Sequence, residues 1–241
     1  MTPQGTFLDA VRRARVFVFP SDCAGCSRPD ERVCPSCCAA LDATPQRVRF
    51  GADDSARERG EMLIVSAGEY EAPFTHVLHA LKEEGRTGLA RDLAPRLRAT
   101  LDAFARWTDP ATEHDIHLVA PPSSRENRRA RGFEPLEIIA RRAGITLSRP
   151  LVSARRREDQ ASLRVAARAE NMRHSMRVRG DVAGASIVLI DDLMTTGATL
   201  TEMARALHEA GASVLGAVVL AHAVRRWPGR DTRVCESGQN S

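Results

Sequence analysis

The chain has 241 residues and a mass of 26.3 kDa, with 43% hydrophobic and 27% charged residues. That composition is globular and long enough to bury a core without disulfides, which excludes a disordered or fibrous protein. No stretch approaches the ~20 apolar residues of a membrane helix.

The net charge of +4 is unevenly spread: residues 120–180 hold 15 Arg against 6 Asp plus Glu, so that segment carries +9 and the rest −5. Such a local excess favours a polyanion such as phosphate, pyrophosphate or nucleic acid, against the alternative of a solvated arginine face. Of 35 basic residues 34 are Arg, and Lys82 is the one lysine.

In chain order, Phe7, Leu8, Val11 and Ala14 have helical spacing. Arg12, Arg13 and Arg15 precede only Val16–Phe19, whereas a secretory signal needs an apolar core of ~7–15 residues. A cytoplasmic location is expected, where thiols stay reduced and cysteines read as metal ligands before disulfides. Cys23, Cys26, Cys34 and Cys37 make C-x2-C-x7-C-x2-C. Two such pairs complete the tetrahedral S4 shell that zinc prefers, and four protein ligands leave no open position, so the metal is expected to be structural. A redox dithiol pair is the alternative. Cys38 and Cys235 fall outside the spacing.

Residues 44–60 are polar and read as a linker. Beyond them, Met62–Val65 is a strand candidate. Phe74, Val77, Leu78 and Leu81 form a helical stripe, and Leu89–Phe104 a second helix. Ile116–Ala120 is a strand ending in Pro121-Pro122, followed by a helix over Phe133–Ala143. Ile187–Ile190 is an apolar strand, Ala198–Ala210 a helix and Ser213–Leu220 a buried strand. Alternating strands and helices predict an α/β fold, a parallel sheet with helices on both faces, plus a small zinc-ribbon-like element at the N-terminus. The expected domains are 1–45 (helix and cysteine knot), 46–61 (linker), 62–224 (main domain) and 225–241 (tail).

The strand Ile187–Ile190 delivers Asp191 and Asp192, then Thr195, Thr196, Gly197, Ala198 and Thr199 open a helix. Ligands of open parallel sheets sit at such strand ends. Free N–H groups at the helix start and Thr hydroxyls form an anion cup, which Gly197 lets a phosphate approach. Two carboxylates would repel a bare phosphate, but they fit a ligand that also offers hydroxyls, as a ribose 5-phosphate does. A capped helix is the plain alternative, yet a cap needs one such residue rather than five.

This loop resembles the motif by which type I phosphoribosyltransferases bind phosphoribosyl pyrophosphate (PRPP). The ordered set is similar to the ComF family: the cysteine knot, His79-Ala-Leu-Lys82-Glu-Glu-Gly85-Arg86, Pro121-Pro122, Arg131-Gly132-Phe133, Gln160 with Asn171, then the acidic-Thr loop. The resemblance spans about Cys23 to Leu220. It implies a type I phosphoribosyltransferase-like fold, PRPP with Mg²⁺ as ligand, and a pyrophosphate loop carried by Arg125, Arg128, Arg129, Arg131 and Gly132. Lys82 would reach substrate, and Arg156, Arg157 and Gln160 would lie in a hood. Where the family has Asn, this chain has Glu134.

Asp191 and Asp192 are the candidate catalytic groups, either of them the candidate general base; the seven histidines are scattered and form no triad. The expected reaction transfers phosphoribosyl to an acceptor the sequence does not specify. A non-catalytic factor associated with single-stranded DNA is the alternative, since the resemblance implies a role in DNA uptake during natural transformation beside a competence helicase. At 4% aromatic residues, stacking platforms for bases are scarce.

Overall fold

Apolar side chains alternate along the two longest strands, and this alternation organises the molecule around a sheet buried on both sides. A computed structural model of the chain describes residues 22–48, 62–108, 115–123, 129, 131–154 and 174–224. Seven strands are described: β1 (Gln46–Val48), β2 (Leu63–Ser66), β3 (Ile116–Val119), β4 (Leu151–Ser153), β5 (Met176–Val178), β6 (Ser186–Met194) and β7 (Ser213–His222). The main sheet has the order β1-β2-β7-β6-β3. Strands β2, β7, β6 and β3 are parallel, and β1 is an antiparallel edge. Strands β4 and β5 form a separate antiparallel pair.

Five α-helices are described: α1 (Pro35–Leu41), α2 (Phe74–Lys82), α3 (Ala90–Trp107), α4 (Pro135–Arg142) and α5 (Ala198–Glu209). Val188, Ile190, Val218 and Leu220 point to the face covered by α2, α3 and α4. Ile187, Leu189, Ala217 and Val219 point to the other, covered by α5 and Met176 of β5. Burial on both faces leaves no polar alternation, which is why these strands read as continuous apolar runs.

Glu202 of α5 fastens β5 to this second layer. Its carboxylate accepts the Met176 N–H at 2.9 Å and two Arg205 N–H groups at 2.8 Å, while Arg205 also donates to the Met176 carbonyl at 2.9 Å. A buried carboxylate is tolerable when its lone pairs are filled in this way.

The pairing of β6 with β7 slips by one residue between Ile187 and Val188, whose partners are Val214 and Gly216. Gly216 lies where β2 and α3 close on β7. A Cβ there would stand 2.4 Å from the Leu63 carbonyl oxygen and 2.6 Å from the Phe104 ring.

Several sequence boundaries move. Gln46–Val48, expected to begin a linker, is the strand β1, pinned also by the Arg47 guanidinium stacked 4.8 Å above the Trp107 ring. Helix α3 runs to Trp107, and β6 continues through the two acids to Met194. The helix expected at Phe7–Val16, the tail 225–241, and Arg156, Arg157, Gln160 and Asn171 lie outside the described residues.

Candidate functional site

Strand β3 pairs with β6 only as far as Val119 opposite Leu189. Asp191 and Asp192 therefore lie beyond the end of β3, where the chain turns away through Ala120–Ser123. A cleft of about 130 Å³ opens there, lined by Lys82, Arg131, Phe133, Arg149, Asp191 and Asp192 together with the Ala120–Ser123 turn.

Asp191 is buried and Asp192 half-buried. The Asp192 N–H donates to Asp191 Oδ1 at 2.8 Å, and Lys82 Nζ donates to Asp192 Oδ1 at 2.7 Å. Lys82 is the last residue of α2. Its neighbour Glu83 accepts from Arg131 Nη2 at 2.7 Å. Beyond the helix end Gly85 takes φ +67°, which turns the chain so that the Arg86 N–H bonds back to the Ala80 carbonyl at 3.1 Å. Two consecutive residues of one helix end thus meet the acidic strand on one side and the Arg131 loop on the other.

Burial pushes the Asp191 carboxyl up to about 7; the adjacent Asp192 charge adds to this, and the Asp192 N–H and Lys82 oppose it. A folded-state value above the unfolded one stabilises the chain below about pH 4, and that stability is lost as pH rises through about 7. Asp191→Asn keeps the acceptor for Asp192 and removes the ionisation. Its melting temperature is expected to pull ahead of the wild type progressively from about pH 4 to about pH 7 and to level off above. Circular dichroism melts across that range measure the gap; a constant gap would contradict the shift.

The expected site residues divide four ways. Lys82, Arg131, Asp191 and Asp192 share the cleft. Gly132 adjoins it in the left-handed conformation at φ +71°. Thr195, Thr196, Gly197, Ala198 and Thr199 form the turn into α5, outside the described lining of the cleft. Gly197 is the N-cap at φ +68° and no side chain caps the helix; the Thr196 hydroxyl only approaches the Ala198 N–H at 3.4 Å. Apart from the Ala198 N–H, no side chain is described on the first-turn amides, and helix starts of this kind suit an anion. Arg125 and Arg128 lie outside the described residues, and Arg129 is exposed.

Arg149 has no counterpart among the residues expected from the sequence. It lines the cleft and is ion-paired with Glu134 and Glu137. The departure from the family pattern at Glu134 is the one local sign of it. What brings Arg149 there is the Ser148 N–H bonding the Leu118 carbonyl at 2.7 Å, a long-range contact without a sequence signature.

The four expected metal ligands also converge. The Sγ atoms of Cys23, Cys26, Cys34 and Cys37 all lie within 4.8 Å of one another, with Cys26 and Cys34 3.6 Å apart. Sulfurs bound at ~2.3 Å around a tetrahedral ion sit about 3.8 Å apart, so the donor set fits such an ion. Burial alone would raise the Cys23 thiol, but N–H groups of Cys34, Gly25 and Cys26 outweigh it and lower the value to about 6. The Cys34 N–H reaches Cys23 Sγ at 3.2 Å. Burial, reinforced by the neighbouring sulfurs, pushes Cys37 up. Crowded thiols share out their protons in this way, and a cation would replace them.

The histidines do not form a catalytic group among the described residues, but two have definite partners. His76 Nδ1 lies 2.8 Å from the Gly25 carbonyl, and buried His222 Nδ1 lies 3.0 Å from both Ser66 Oγ and the Gly68 carbonyl.

Comparisons with known proteins bear on this geometry. The sequence model of the phosphoribosyl transferase domain family matches residues 96–237. The DNA utilization protein YhgH of Escherichia coli (strain K12) is 27% identical over 200 residues, covering 81% of this chain and 86% of that protein. Orotate phosphoribosyltransferase of Methanopyrus kandleri is 42% identical over 62 residues, 26% of this chain and 32% of that protein. Adenine phosphoribosyltransferase of Saccharomyces cerevisiae superposes with a TM-score of 0.38 at 12% identity, over 78% of this chain and 89% of that one. The resemblance to the ComF family accords with the domain match and with the YhgH relatives. The chain belongs to the phosphoribosyl transferase family.

Proposed function

We propose, on the premise of that membership, that the chain binds PRPP with Mg²⁺ and transfers its phosphoribosyl group to an acceptor in the handling of DNA. The observation that carries this reading is the meeting of Lys82 and Arg131 with Asp191 and Asp192 in one cleft at the carboxyl end of β6. In the proposed complex the uncapped amides of the Thr195–Thr199 turn hold the 5-phosphate. Asp191 and Asp192 accept the ribose hydroxyls, and as hard oxygen donors they also suit a hydrated Mg²⁺. That ion would supply charge neutralisation for the leaving pyrophosphate. Lys82 and Arg131 add to it by exchanging their present carboxylate partners for phosphate oxygens. The chain's part in catalysis is chiefly positioning and fixed charge. Asp191, with a carboxyl raised to about 7, is suited to take a proton from an attacking nitrogen at neutral pH.

The cysteine knot is proposed to hold structural zinc, since four thiolates at tetrahedral spacing leave no open coordination position. A cytoplasmic site of action is in keeping with cysteines that serve as metal ligands rather than as disulfides. The DNA utilization named for the YhgH relatives favours a second reading, in which the same pocket regulates a DNA-associated protein without turnover; a helicase partner rests on the ComF resemblance alone.

Calorimetric titration of Mg²⁺-PRPP into the zinc-loaded chain tests the first reading. Micromolar binding is expected, falling by at least ~100-fold in the Asp191→Ala, Asp192→Ala double variant. Pyrophosphate release with candidate acceptors then separates catalysis from regulation. Absence of binding by the folded wild type would overturn both forms of the proposal.

A further inference from the structure

Helix α2 meets the cysteine knot at its start and the cleft at its end. At its start, Gly25 of the cysteine loop packs so closely that a Cβ there would lie 2.8 Å from Pro73 Cβ and 2.6 Å from Cys37 Sγ. The Gly25 carbonyl meets His76 Nδ1 at 2.8 Å. At its end, Lys82 lines the cleft and pairs with Asp192, and the adjoining Glu83 pairs with Arg131. The turn that ends the helix returns to the knot: Arg86 Nη2 donates to the Asp22 carbonyl at 2.7 Å and to the Arg32 carbonyl at 3.5 Å. Arg32 is in turn fixed to Asp92 of α3 by two hydrogen bonds of 2.7 and 3.0 Å.

We infer that Arg86 is a positioning residue through which the four-cysteine knot holds the α2 end and so sets how Lys82 and Glu83 meet Asp192 and Arg131. The Arg86 amide bonds back to Ala80 at the helix end, and its guanidinium is anchored on one carbonyl just ahead of each cysteine pair, those of Asp22 and Arg32. A cysteine loop that a metal holds rigid offers those carbonyls at fixed positions; a loop without it does not. Helix α2 is nine residues long, a rigid rod of ~13 Å, so a shift at either anchor is carried to its end rather than absorbed within it. The inference concerns the geometry of the cleft and does not depend on which ligand occupies it.

Lys82 is the one lysine, so it supplies its own reporter. Reductive methylation with carbon-13 formaldehyde gives a single dimethyl-lysine signal beside that of the α-amino group. The Asp192→Asn variant marks where that signal falls when the ion pair is gone. In the zinc-loaded full chain, Arg86→Ala is expected to move the signal by about half that distance or more. Arg86→Gln keeps an N–H donor for the Asp22 carbonyl and is expected to move it less. Leu97→Ala, a core deletion in α3, controls for general loosening and is expected to leave the signal in place while lowering the melting temperature. A signal unmoved in Arg86→Ala, at whatever melting temperature, overturns the inference, and so does an equal movement in Leu97→Ala.

Discussion

Gly216→Ala is expected to destabilise the chain by about 3 kcal/mol or more, a large loss for one methyl group. The added carbon would meet the Leu63 carbonyl oxygen at 2.4 Å, and that oxygen belongs to a paired strand that cannot rotate aside. It would also meet the Phe104 ring at 2.6 Å, a buried side chain held between α3 and the sheet. Relief requires β2 to part from β7 or α3 to lift, and either uncovers core surface. Urea unfolding followed by circular dichroism measures the effect. A loss below about 1 kcal/mol would mean that the register slip at Ile187/Val188 yields easily.

The second large effect belongs to the cysteine knot. Removal of the proposed zinc by a chelator, or the Cys34→Ser substitution, is expected to lower the melting temperature by about 10 °C. Cys34 is fully buried, and its N–H helps to hold Cys23 as a thiolate. Loss of the shell therefore leaves crowded, partly charged sulfurs without a cation. The damage extends to α3, where Arg96 donates to the Cys38 carbonyl at 3.3 Å and pairs with Asp42. Cys38→Ser is the control: this half-buried thiol stands outside the cluster, its Sγ 3.8 Å from the Val33 carbonyl. Calorimetric melting with metal analysis should show Cys38→Ser retaining both zinc and stability. Equal losses in both variants would show that packing, and not ligation, is at stake.

Features encoded over a few residues are legible in the sequence itself. The C-x2-C pairs place their sulfurs through local turns, and the clustering of four Sγ atoms follows from spacing alone. The acidic strand and the Thr-Gly turn are likewise contiguous, and Gly197 does adopt a left-handed conformation at the helix cap. Lys82 stands out by composition, but its partner Asp192 is 110 residues away and nothing local links the two. Pairings over such distances depend on how helices stack on the sheet, which local patterns do not record. Arg149 is hidden for the same reason. The strand β1 is hidden because its Gln-Arg-Val sequence is polar and short; it is stabilised by backbone pairing with β2 and by Trp107, neither of which is nearby in sequence.

That edge strand makes the cysteine element and the sheet a single inheritance. Only a few residues separate Leu41 at the end of α1 from Gln46, so the chain leaves the knot and closes one border of the sheet almost at once. A protein cut before residue 62 would keep every group of the cleft, yet it would present the outer row of β2 amides and carbonyls bare to solvent. Such a border is an invitation for a second molecule to add itself as the next strand. The upstream segment thus replaces that apolar border with a three-residue polar edge that carries Arg47, a short charged rim of the kind that disfavours strand addition, and this is separate from any metal the segment binds.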